Sequence, residues 1–141
     1  MMQAAMIENN DNLNFHYYQE NGKLFGTKMI FPAEENWLEK AMIEVDNIMN
    51  ILNTDEKLGV IYQDINSPLL KAIKDKYPNR IVEFEGTSVQ GEETRYSIME
   101  APQSDSQEDF KRDIYTAVTR AQDGTILVSN GKYKNITLSQ T

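Results

Sequence analysis

Between Ala33 and Leu52 the apolar residues Trp37, Leu38, Ala41, Met42, Val45, Ile48, Met49 and Leu52 recur at spacings of three and four. That spacing predicts an amphipathic helix with one buried face. Glu34 and Glu35 fall in its first turn, where the helix dipole favours acidic groups. Upstream, Phe15 to Gln19 and Leu24 to Ile30 have strand character, and Glu20-Asn21-Gly22-Lys23 lies between them. Asn-Gly is a strong two-residue turn signal, so these runs predict a β-hairpin that Pro32 closes.

Beyond Leu52 the period changes. Leu58-Gly59-Val60-Ile61-Tyr62 is a nearly continuous apolar run, as in a strand covered on both faces. Asn66 or Ser67 caps a helix with Pro68 in its first turn, running to about Lys76 and ended by Tyr77-Pro78-Asn79. Arg80 to Phe84 and Thr94 to Met99 read as strands. Ser106, with Asp109 three residues on, caps a further helix. Phe110, Ile114, Ala117, Val118 and Ala121 form its buried face, and Asp123-Gly124 ends it before a strand from Thr125 to Ser129. Gly131 to Thr141 leaves room for one more edge strand. Strands alternating with helices in this way predict an α/β fold with a mostly parallel sheet.

Composition narrows the class. A chain of 141 residues suits one domain, here residues 12–141 after a Met- and Asn-rich, flexible N-terminus at 1–11. Within the domain, residues 12–55 supply hairpin and helix, and 56–130 the remaining α/β core. No apolar run approaches the length of a membrane span, and Met1 to Asn10 is not a signal peptide. Without cysteine there are no disulfides or thiolate metal sites, which fits a cytoplasmic protein. The net charge of -8 argues against a domain that grips nucleic acid alone, because phosphate contacts call for a basic face. Any nucleic-acid contact is therefore local, or made mainly by another part of a larger protein.

Two segments carry specific patterns. Glu85-Gly86-Thr87-Ser88-Val89-Gln90-Gly91-Glu92-Glu93 precedes Asp113-Ile114-Tyr115-Thr116-Ala117-Val118-Thr119-Arg120-Ala121-Gln122 at a short interval. In this order they resemble motifs V and VI of superfamily 1 helicases of the UvrD and RecD kind. The more specific element is Tyr115-x-Ala117-x-Thr119-Arg120-Ala121, followed by the apolar strand at Thr125. The resemblance covers residues 57–130. It implies a RecA-like P-loop NTPase second lobe, its mostly parallel sheet flanked by helices, with the N-terminal hairpin added.

The resemblance also implies roles. Arg120 is the arginine finger, suited to stabilising charge on a transferring phosphoryl group because its planar fork stays charged. Glu92 approaches the nucleotide ribose, Gly91 allows close backbone approach, and Thr119 offers a hydroxyl to phosphate. Thr87, Ser88 and Gln90 couple nucleotide to the nucleic-acid strand. The cofactors implied are ATP and magnesium, shared with an N-terminal RecA-like lobe. That lobe and single-stranded nucleic acid are the partners, with no membrane.

The sequence departs from the family in two places. The strand ending at Tyr62 is followed by Gln63-Asp64, where the family has an arginine that reaches the γ-phosphate. Arg80 and Arg95 are the candidates to replace it. There is also no phosphate loop: Gly22-Lys23-Leu24-Phe25-Gly26-Thr27-Lys28 has the wrong spacing and order. The chain is therefore expected not to hydrolyse ATP by itself. The alternative reading is a stand-alone, non-catalytic α/β protein-interaction module derived from a helicase domain. Other constellations are bland. His16, the only histidine, sits in a strand-like run, and Glu34-Glu35 and Glu92-Glu93 lack the spacing of a metal site.

Overall fold

A computed structural model describes residues 7–8, 13–21, 23–30, 35–85, 93–100, 118, 121–128 and 136–140. The Asn-Gly signal is met. Strand β2 (Leu13–Glu20) and strand β3 (Lys23–Ile30) pair antiparallel up to Glu20↔Lys23. Asn21 takes φ 53°, a left-handed conformation that asparagine tolerates better than most residues.

Helix α1 (Trp37–Ile51) follows, then β4 (Leu58–Tyr62), α2 (Pro68–Lys76), β5 (Ile81–Glu85), β6 (Thr94–Glu100) and β7 (Ala121–Val128). From β3 onward every pairing is parallel, in the spatial order β3-β7-β6-β4-β5. The hairpin extends this sheet. A two-residue strand β1 (Ile7–Glu8), within the segment expected to be flexible, pairs antiparallel with β2. Strand β8 (Ile136–Gln140) realises the expected last strand and pairs parallel with β2.

Helix α2 begins and ends for local reasons. Ser67 caps α2, its Oγ accepting from the Leu70 N–H at 3.3 Å with Pro68 at the first helical position, and Lys74 and Lys76 lie in the last turn. The apolar stripe of α1 is buried at Ala41, Val45, Ile48 and Met49. Glu44 is buried within that stripe as well. It accepts from Lys28 Nζ on β3 at 2.7 Å, which supplies the partner a buried carboxylate requires.

The register sorts the parallel strands into two faces. Leu24, Leu58, Val60, Tyr96, Ile98, Ile126 and Val128 join α1 and α2 in one core. On the opposite face the aligned row Thr27, Thr125, Ser97 and Gly59 lies beside the row Met29, Leu127, Met99 and Ile61. These residues are buried too, as a strand covered on both sides requires. The Ser97 and Thr125 hydroxyls satisfy each other at 2.9 Å.

Two boundaries differ from expectation. Helix α1 starts at Trp37 rather than Ala33, so Glu35 lies in the turn before it and Glu39 is the acidic residue of its first turn. Asp123-Gly124 does not end a helix; both lie inside β7, which already starts at Ala121. Strand β6 is the reason. Ala121 pairs with Thr94 and Gly124 with Tyr96, across a register irregularity, and the Arg95 guanidinium donates to Asp123 at 2.7 Å. Tertiary pairing overrides the turn propensity of Asp-Gly. Gly124 is also needed for space, since a Cβ there would stand 3.1 Å from the Tyr96 ring and 3.2 Å from the Leu24 carbonyl oxygen. Of the helix expected from Ser106, Val118 alone is described; it is helical and fully buried.

Candidate functional site at the carboxyl edge of the sheet

Parallel strands point their carboxyl ends to one edge, and ligands of open α/β sheets bind where the chain reverses its progress across the sheet. Here that reversal lies between β4 and β6. From β4 the chain moves through α2 to β5 on one side, and from β6 it moves to β7 on the other.

The residues at this point form a closed set of hydrogen bonds. Glu100, the last residue of β6, accepts from Ser67 Oγ at 2.8 Å and from the Gln63 backbone N–H at 3.4 Å. The Gln63 amide nitrogen donates to the Glu100 carbonyl at 3.2 Å. The turn between β4 and α2 is shaped by Asp64, whose carboxylate accepts from the Asn66 N–H at 2.9 Å and whose carbonyl accepts from the Ser67 N–H at 2.9 Å. A carboxylate thus lies beside the capping hydroxyl of α2, where the helix dipole favours negative charge.

Sequence reasoning misses this set except for Ser67 as a cap and Gln63 as the residue standing where the family has an arginine. Their partner, Glu100, lies 33 residues from Ser67. The available signal is a glutamate closing an apolar strand.

Neither candidate replacement arginine reaches this edge. Arg95 stands at the amino end of β6, five residues and roughly 17 Å of strand from Glu100. Its hydrogen bond to Asp123 raises its pKa still further, and Glu56 also faces it at 3.5 Å. Arg80 precedes β5 and donates to the Asn53 carbonyl at 3.1 Å. Both guanidinium groups serve the amino edge.

The residues singled out by the family resemblance, Thr87, Ser88, Gln90, Gly91, Glu92, Thr119 and Arg120, all lie outside the described residues. In sequence, the first five join the carboxyl end of β5 to the amino end of β6. Thr119 and Arg120 lie between helical Val118 and Ala121, the first residue of β7.

No family model matches the chain, and no curated protein matches it. Among solved structures, the C-terminal domain of a possible DNA helicase from Lactobacillus plantarum WCFS1 matches with a TM-score of 0.53. The match is 20% identical in sequence and covers 79% of this chain and 83% of that one. This chain shares the fold of that domain. The expected RecA-like second-lobe architecture, a mostly parallel sheet with flanking helices and a hairpin, is thereby supported as a fold.

Within that architecture the carboxyl edge is acidic and acceptor-rich where it is described. Phosphate oxygens need cations and N–H donors. Glu100 and Asp64 supply neither, and Ser67 Oγ is already engaged. Among the described residues no helix is long and apolar enough to cross a membrane.

Proposed function

We propose that this chain is the second ATPase lobe of a superfamily 1 helicase or translocase of the UvrD and RecD kind. It acts with an N-terminal P-loop lobe on single-stranded nucleic acid. The observation that carries the proposal is the fold shared with the C-terminal domain of a possible DNA helicase. The sequence Tyr115-x-Ala117-x-Thr119-Arg120-Ala121, which runs into the start of β7, supports it.

In this reading ATP and magnesium are held mainly by the P-loop lobe, which supplies the phosphate cradle. Arg120 brings a guanidinium to the oxygens on which charge develops during phosphoryl transfer. Gly91, Glu92 and Thr119 contact the nucleotide, while Thr87, Ser88 and Gln90 pass its state to the strand. The deciding experiment is nucleic-acid-stimulated ATP turnover by the natural protein that joins this domain to its P-loop lobe. Arg120→Ala should lower kcat by about a thousandfold or more, the range for an arginine finger, and leave ATP affinity little changed. Undiminished turnover would sink the assignment.

One observation favours a second reading. Gln63 and Glu100 bond to each other where the family has a phosphate-reaching arginine. A lobe that has given up that contact suits a non-catalytic interaction module. In that case the wild-type protein itself shows no nucleic-acid-stimulated turnover.

A further inference from the structure

At the opposite, amino edge of the sheet, the hairpin turn, the last turns of α1 and the start of β6 enclose a cleft of about 500 Å³. That volume falls within the roughly 300–1,000 Å³ of small-molecule sites. It is lined by Asn21, Lys23, Asn47, Asn50, Ile51 and Arg95. Asn21, Lys23, Asn47 and Asn50 have no hydrogen-bond or ion-pair partner for their side chains among the described residues. Arg95 is held in place by Asp123 through Nε and by Glu56 through Nη1, which leaves its Nη2 uncommitted among the described residues.

The two helical asparagines are informative. Asparagine is a weak helix former because its amide competes for backbone groups. Asn47 and Asn50 stand three residues apart, so they share a face of α1, yet neither amide makes such a bond. Both amides are therefore available to a ligand in the cleft. The hairpin supplies the third amide and the cleft's lysine.

We propose that this cleft binds a sugar phosphate. Lys23 Nζ supplies the positive charge for the anionic oxygens, and Arg95, whose own charge Asp123 and Glu56 already balance, adds its free Nη2 as an N–H donor. The three carboxamides, each both donor and acceptor, take the sugar hydroxyls, and Ile51 adds an apolar side chain to the lining. The site rests on its own observations, the cleft and its uncommitted side chains, so it and the helicase reading can fail separately. It also accounts for the hairpin, which forms one wall of the cleft.

The test is a titration of the ¹⁵N-labelled chain with ribose 5-phosphate, followed through the side-chain amide resonances of Asn21, Asn47 and Asn50. Saturable shifts at all three are expected, with affinity at least about tenfold above that for inorganic phosphate and no saturation by ribose alone. Lys23→Met should weaken binding about tenfold, the equivalent of one charge-assisted hydrogen bond. Lys23 is exposed, so the thermal midpoint of that variant should match the wild type. Asn47→Ala should weaken the sugar phosphate more than inorganic phosphate. The proposal is overturned if the amides do not shift, if K23M binds as wild type, or if inorganic phosphate binds equally well. A short oligothymidylate that saturates the same resonances at lower concentration than ribose 5-phosphate identifies the sugar phosphate as part of a strand. The reverse order identifies a free metabolite.

Discussion

Tyr96 is a large side chain committed wholly to the core. It is fully buried on the face beneath α1 and α2, and its ring fills the space that Gly124 leaves open. Burial raises the pKa of its phenol, and the nearby Asp123 adds to the effect. Its hydroxyl has no hydrogen-bond partner among the described residues. A buried hydroxyl without a partner costs about 1–3 kcal/mol, while the ring contributes by excluding water. Tyr96→Phe should therefore leave stability unchanged or raise it by about 1 kcal/mol, measured by urea unfolding. A loss of more than about 1 kcal/mol would mean that the hydroxyl is paired after all. Such a residue is readable in sequence as core, from its place in an apolar strand, but its orphaned oxygen depends on neighbours that only the folded sheet assembles.

At the scale of elements, α1 and α2 are clamped through Asp46. Tyr77 donates its hydroxyl to Asp46 Oδ1 at 2.5 Å, and Lys76 Nζ lies 2.9 Å from Oδ2. Burial alone pushes the Asp46 carboxyl up, but the Tyr77 hydrogen bond and the Lys76 ammonium outweigh it and hold the pKa below the usual value. The same contact, with burial first, pushes the Tyr77 phenol up to about 12. The signs follow from linkage. A lowered carboxyl pKa stabilises the fold above the ordinary value of 3.8, and that contribution is lost as pH falls through the folded value. A raised phenol pKa stabilises below its ordinary value of 10.0, and that contribution is lost as pH climbs to about 12. Urea unfolding across pH should show Asp46→Asn losing less stability than wild type on acidification below about pH 4. Tyr77→Phe should lose less above pH 10.0. Parallel curves for variants and wild type would remove the clamp from the account. The hairpin, α1, α2 and the apolar strands are legible in the sequence because their signals are local: Asn-Gly, a three-four spacing, Ser before Pro. The Asp-Gly pair of β7, the burial of Glu44 and the bond from Ser67 to Glu100 are not, because each is decided by a strand or helix distant in sequence. The motif residues are legible only through family resemblance, and they lie outside the described residues.

For the whole molecule the balance of charge decides what the domain does alone. The net charge is -8, and several of the cations already have acidic partners. Lys28 pairs with Glu44, Lys74 with Glu83, Lys76 with Asp46, and Arg95 with both Asp123 and Glu56. The described carboxyl edge carries Glu85, Glu100 and Asp64, so its field repels a phosphate backbone. Strong strand binding depends on releasing counterions from phosphates by neutralising them, and the paired cations are poorly placed to do so. The isolated chain should therefore bind a fluorescent oligothymidylate with a Kd of about 10⁻⁴ M or weaker at roughly 0.15 M salt, in the range of non-specific contacts. In fluorescence anisotropy, sub-micromolar binding at that salt would show a basic surface that the paired charges do not reveal. If binding is weak alone and becomes tight only when the domain is joined to the P-loop lobe proposed above, the strand is gripped across two lobes. An acidic second lobe then has a physical rationale. On the proposed helicase reading it would contribute little to holding the strand between cycles, and its contacts would matter most in the nucleotide state that brings the lobes together.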